Sequence, residues 1–250
     1  MKTIKKTFFL ALLLPLFVAC DFDDDGYSLD NYWIDIATVE NPDSSSFFYF
    51  RLDNNDIMWT AATNFRHFRP VDGQRIIANY TILSNGAASS SYNHDVKLND
   101  VYKVLTKGIF PITTATADSI GNDSIHVKNM WIGSDFLNVQ FVYTGYDKTH
   151  FINLVSDASK VYTDGKMHLE FRHNGNGDTP MYYRSGIVSF NLKSLQTGAG
   201  SDSINLVIYV NEPNMVADKK FELTYKFGNS AMSSQRNLVT FPEMDASKVN

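Results

Sequence analysis

The stretch HLEFRH, residues 168–173, puts His168, Glu170 and Arg172 on one face of an extended chain, because side chains two apart point the same way. A carboxylate beside an imidazole can pass a proton, and a guanidinium in the same row can hold an anion. Those are the parts of a general acid–base pair, and they define a hydrolase alternative for this chain. The same residue types also make an ordinary solvated sheet face laced by cross-strand ion pairs, and that reading is preferred. The six histidines (His67, His94, His126, His150, His168, His173) fit no H-E-x-x-H pattern, and there is no G-x-S-x-G or P-loop. His168 and His173 fall on opposite faces, which makes them poor joint metal ligands. No catalytic residue, metal site or cofactor is expected.

Binding chemistry is better represented. In FFYFRL, Phe48, Phe50 and Leu52 face one side while Phe47, Tyr49 and Arg51 face the other. Tyr49, Arg51 and Trp59, with Phe65, Arg66, His67 and Arg69 of the loop NFRHFRP, supply rings and guanidinium groups of the kind that stack flat ligands such as sugars or bases. The competing reading has Trp59 plugging a barrel interior and the loop merely basic. The tripeptide Asp-Ser-Ile, at Asp118–Ile120, Asp123–Ile125 and Asp202–Ile204, resembles an O-glycosylation acceptor of extracytoplasmic proteins in Gram-negative gut anaerobes. Its acceptors would be Ser119, Ser124 and Ser203.

The elements that must position these residues are strands. Period-2 alternation with β-branched and aromatic enrichment predicts them at Tyr32–Val39, Phe47–Leu52, Ile57–Thr60, Gln74–Leu83 and Val96–Thr106, separated by turn signals such as DNND, VDG and SNGAASSS. Five strands of this spacing suit an OB-like barrel over 31–112. The small and polar stretch FPITTATADSIGNDS marks a boundary. Beyond it HVKNMWIG, FLNVQFVY, THFINLV, KMHLEFRH, SGIVSFNL, SINLVIYV and KKFELTYKF predict an immunoglobulin-like antiparallel β-sandwich over 113–250, without the immunoglobulin cysteines. The tail carries one more strand-like run, NLVTF. The fold class is therefore all-β.

The start of the chain speaks to location. Lys2, Lys5 and Lys6 precede an apolar run from Phe8 to Ala19, which spans about 18 Å as a helix, short of a bilayer core. This is the layout of a secretory signal over 1–19. Cys20, the only cysteine, follows it directly and resembles the acylated cysteine of a bacterial lipobox, although Phe17 stands where Leu is usual. An acyl-anchored Cys20 gives the chain a membrane attachment without a transmembrane helix. Asp21, Asp23, Asp24 and Asp25 then make an acidic tether over 20–30, which also resembles the surface-export signal of lipoproteins from gut and oral anaerobes. The D-x-D-x-D-G opening of a calcium loop is present, but its twelfth position is Tyr32 rather than Glu. The expected location is the outer membrane, facing outward.

The formal charge of −5 becomes more negative once the lysine-bearing leader is removed, and no run of basic residues occurs. Nucleic acid is a poor partner for such a surface, which favours a glycan, peptide or protein instead.

DNYWIDIATV, YFRLD, DGQRIIANYTIL and VKLNDVYKVLTK resemble the N-terminal half of NigD-like lipoproteins. ADSIGNDSIHVKNMWIG, FLNVQFVYTG, INLV and LEFRHN resemble the C-terminal half. The resemblance implies an OB-like domain, a β-sandwich and a lipid anchor, in a family named for a bacteriocin gene cluster and without an established molecular activity. It brings no catalytic residues with it. A bacteriocin-associated accessory or immunity-type protein acting through protein contacts is thus the first alternative, ahead of the hydrolase.

Overall fold

The alternation in FFYFRL is realised in space. Phe48, Phe50 and Leu52 are buried, while Tyr49 and Arg51 are half-buried on the opposite side of the strand. In the computed structural model, which describes residues 27–40, 47–64, 68–196 and 202–228, this strand belongs to a closed five-stranded barrel. Its strands are β1 (Trp33–Glu40), β2 (Tyr49–Leu52), β3 (Ile57–Thr63), β4 (Arg75–Asn85) and β5 (His94–Lys103). The order β1-β2-β3-β5-β4 closes because β1 also pairs with β4, from Trp33↔Tyr80 to Thr38↔Arg75. The β3–β5 pairing is parallel. Register shifts at Thr60/Ala62, Asn79/Tyr80 and Ile82/Ser84 supply the bends that closure requires. Phe48, Phe50, Met58, Ile76, Tyr80, Val96 and Leu98 fill the interior. Each large side chain buried there contributes about 2–3 kcal/mol of transfer free energy.

The second unit is a sandwich of a five-stranded and a four-stranded sheet, ordered β14-β13-β11-β10-β7 and β6-β12-β9-β8. Its strands are β6 (Leu105–Lys107), β7 (Ile109–Ile112), β8 (His126–Gly133), β9 (Phe136–Gly145), β10 (Phe151–Asp157), β11 (Met167–Asn174), β12 (Tyr182–Asn191), β13 (Ser203–Val210) and β14 (Lys219–Lys226), with one helical turn, α1 (Ala117–Ile120). Leu137, Val139 and Phe141 of one sheet meet Leu154, Leu169, Phe171 and Ile208 of the other.

Two expectations need correction. The barrel ends at Val104, not at 112. Residues 105–112 pass from one sandwich sheet to the other, β6 pairing with β12 and β7 with β10, with Gly108 between them. Pro111 sits on β7, at the edge of its sheet, where its missing N–H costs no ladder bond. Nor are all pairings antiparallel: β6–β12, β7–β10 and β11–β13 are parallel. The leader, Cys20, most of the acidic tether and NLVTF lie outside the described residues.

The two units meet over a small apolar cluster of Ile36, Ile77 and Val104 with Ile187 and Trp131. Beside it, Arg75 of β4 is almost fully buried. Its guanidinium donates to Asp53 at 2.7 and 3.1 Å, to Asn138 at 2.9 Å and to Thr38 at 3.0 Å, and lies 4.6 Å from the Phe136 ring centroid. Asp53 also accepts from Asn138 Nδ2 at 2.9 Å and Trp131 Nε1 at 3.3 Å. A Cβ at Gly133 would come within 2.1 Å of the Asp53 carboxyl carbon, so only glycine admits the carboxylate there.

Candidate functional site

Tyr49 of β2 and Trp59 of β3 are cross-strand partners, and both point away from the barrel core. Their ring centroids are 4.5 Å apart, and Tyr92 from the β4–β5 loop adds a third ring at 5.9 Å from Tyr49 and 6.5 Å from Trp59. The three rings are half-buried. The loop is folded back by Ser90, whose hydroxyl donates to the Ala87 and Tyr92 carbonyls at 2.7 and 2.8 Å. Partial burial and a hydrogen bond to Asp95 raise the Tyr92 phenol above its ordinary range. Asp95 also accepts from Ser84 at 2.9 Å. The result is an aromatic surface with a carboxylate at its edge, suited to the apolar face and hydroxyls of a sugar ring or to a peptide side chain.

The expected members of this face fare differently. Tyr49 and Trp59 are brought together, and Phe48, Phe50 and Met58, not Trp59, fill the interior. Arg51 lies alongside, but its guanidinium is engaged by Glu40 at 2.6 and 3.0 Å. Arg69 is exposed beyond β3, and Phe65, Arg66 and His67 lie outside the described residues. Tyr92 was not among the expected residues. Its only sequence signal is an aromatic within a turn-rich loop.

The His168–Glu170–Arg172 row does share a face, but Glu170 and Arg172 pair with each other while His168 bonds Tyr209 and Asp164. Both oxygens of Glu170 are occupied, by Lys160 at 2.6 Å and Arg172 at 2.7 Å. Arg172 also donates to the Ala117 carbonyl at 3.1 Å. His168 bonds Tyr209 and Asp164, each at 2.9 Å, and stacks flat on Tyr162 with centroids 3.5 Å apart. This is a cross-linked sheet face with its carboxylate already neutralised.

A second titratable cluster, not foreseen from the sequence, lies at one end of the sandwich. His150 Nδ1 and His173 Nε2 are 2.7 Å apart, and both side chains are buried. His150 Nε2 faces Asp178 at 3.1 Å, and His173 Nδ1 faces the Ser124 carbonyl at 3.2 Å. Burial opposes ionisation of Asp178, but the amides of Tyr146, Asp147 and Thr179, together with His150, hold its carboxyl well below the usual range. Burial, and then the charge of His150, lower the pKa of His173. Around this end Tyr146, Met181, Tyr182 and Tyr183 are exposed. Among the described residues no group of three His, Cys, Asp or Glu is arranged to hold a metal ion, and no helix is long and apolar enough to cross a membrane.

Of the three serines in Asp-Ser-Ile, Ser119 and Ser124 are exposed and Ser203 is half-buried at the start of β13.

A family model for the NigD-like N-terminal OB domain matches residues 36–104, and one for the NigD-like C-terminal β-sandwich domain matches residues 108–230. The chain belongs to the NigD-like family. Both matches divide it close to Val104, where the barrel ends. Among similar solved structures is a protein of unknown function from Bacteroides vulgatus, 27% identical, covering 88% of this chain and 100% of its own, with a TM-score of 0.70. A protein described as toxin-related from Parabacteroides distasonis is 34% identical, covering 78% of this chain and 94% of its own at a TM-score of 0.67. A protein described as a NigD-like immunity protein from Bacteroides caccae shares the fold at 18% identity, covering 81% of this chain and 99% of its own, with a TM-score of 0.59. No curated protein matches significantly.

Proposed function

We propose that this NigD-like protein is a lipid-anchored, non-catalytic binding module displayed outward from the outer membrane. The lipid on Cys20 holds it there, and the barrel face takes a glycan or peptide ligand. The observation that carries the reading is the Tyr49–Trp59–Tyr92 cluster on the outside of a barrel whose interior is filled without it. Half-buried rings with an acidic rim fit a neutral or cationic ligand, and the acidic charge of the chain disfavours phosphate backbones. A structural relative from Bacteroides fragilis, 9% identical at a TM-score of 0.52, is described as a lipoprotein, in keeping with the anchor. The hydrolase reading as it stands on the His168–Glu170–Arg172 row is not favoured, since both oxygens of Glu170 are held by Lys160 and Arg172.

A second reading, an accessory or immunity-type protein acting through protein contacts, is favoured by the exposed Tyr146, Met181, Tyr182 and Tyr183. The two are separated by capture of partners from surface-labelled cells with the intact protein, Trp59→Ala and Tyr183→Ala. Loss of captured glycan or peptide in Trp59→Ala supports the barrel face; loss of a protein partner in Tyr183→Ala alone supports the second reading. The anchor is tested independently, because radiolabelled palmitate must enter the parent and not a Cys20→Ala strain. Intact mass would show added hexose if Ser119, Ser124 or Ser203 is glycosylated.

A further inference from the structure

The contact between His150 and His173 has a proton count that its surroundings dictate. The Ser124 carbonyl can only accept, which assigns the N–H of His173 to Nδ1. The Asp178 carboxylate likewise assigns an N–H to His150 Nε2. His173 Nε2 is then a bare acceptor, and the 2.7 Å contact requires the third proton on His150 Nδ1. The pair thus carries three ring protons and one positive charge, neutralised by Asp178. A fourth proton would aim N–H at N–H across 2.7 Å and place a second charge in the same buried site, so it cannot enter without parting the rings.

The groups around the pair show what parting would release. On the β9–β10 loop, Tyr146 and Asp147 donate their amides to Asp178 at 2.6 and 3.3 Å, and Lys148 donates to the carbonyls of Asn176 and Gly177 at 3.1 and 2.9 Å. On the other side Asp123 bridges to His173 through the backbone and accepts the Gly175 amide at 2.8 Å. Tyr143 of β9 packs its ring 4.5 Å from His150 and 5.6 Å from His173. The charged and titratable neighbours are therefore Asp178, Asp123, Asp147, Lys148 and Tyr143. The β9–β10 loop carries the exposed Tyr146, and the β11–β12 loop leads into the exposed Tyr182 at the start of β12; their rings meet at 6.1 Å.

We infer that His150 and His173 share one proton in an acid-sensitive clasp that fastens the β9–β10 loop to the β11–β12 loop, and that uptake of a second proton releases both loops and the tyrosine surface they present. Burial lowers the pKa of His173, so the second proton enters below the ordinary histidine value.

Residue-resolved amide exchange on the whole chain tests this. Between about pH 7 and about pH 5, protection factors of the Tyr146, Asp147 and Thr179 amides fall by about tenfold or more, while Ile76 in the barrel keeps its protection. His173→Gln and His150→Gln abolish the step. Imidazole nitrogen spectra of the unmodified protein near neutral pH show two protonated nitrogens on His150 and one, Nδ1, on His173. Unchanged protection of the loop amides on acidification, persistence of the step in both variants, or a protonated His173 Nε2 at neutral pH overturns the proposal.

Discussion

Arg75 shows how one side chain can decide more than its own neighbourhood. A buried guanidinium held by Asp53 and Asn138 stabilises little compared with a well-packed apolar pair, but removing one partner strands the other. Arg75→Ala is expected to cost about 3–5 kcal/mol, read as a lowered urea midpoint. Arg75→Met with Asp53→Leu is expected to recover much of that loss. His173 gives a residue-scale dependence on pH. Its pKa is lower folded than unfolded, so the unfolded chain binds more protons between the two values, and stability falls as pH drops below about 6.5. Asp178 is depressed as well, and its contribution is lost only as pH falls through the carboxylate range and below. The urea midpoint should therefore decline on acidification, with the first decline flattened in His173→Gln.

At the scale of elements, β6 and β7 offer a direct test. A C-terminal fragment beginning at Leu105 keeps an edge strand for each sheet, whereas one beginning at 113 lacks both. The first should give a cooperative thermal transition by circular dichroism and the second should not. Period-2 patterns made the core faces legible: Phe48, Phe50 and Leu52, or Leu169 and Phe171, are buried where alternation placed them. The pattern failed where strands are short or punctuated. LTK runs on from the strand predicted over Val96–Thr106, and FPI of IFPI, with Pro111, opens the stretch read as a boundary, yet each is a separate edge strand. Parallel pairing leaves no local signature, since the partners β11 and β13 are joined only through the rest of the fold. The sites followed the same rule. Tyr49 and Trp59 sit on strands close in sequence and were foreseen together. His150 and His173 meet because β10 and β11 pair in register, with Ile152 opposite His173, and nothing in either local stretch announces it.

For the whole molecule, the junction predicts that barrel and sandwich melt together. Calorimetry should show a single transition whose calorimetric and van't Hoff enthalpies agree, splitting in two in Arg75→Ala as the junction weakens. Two well-separated transitions in the parent would mean that the Arg75 network does not couple the units.

The passage from barrel to sandwich leaves the chain no slack. Only Val104 separates β5 from β6, and its amide is bonded to the Arg75 carbonyl at 3.0 Å. A molecule built this way behaves as a ruler: the barrel rings and the tyrosines at the sandwich end are held at one spacing. A partner bearing two epitopes gains avidity only when their separation matches that length, and a mismatched one gains none.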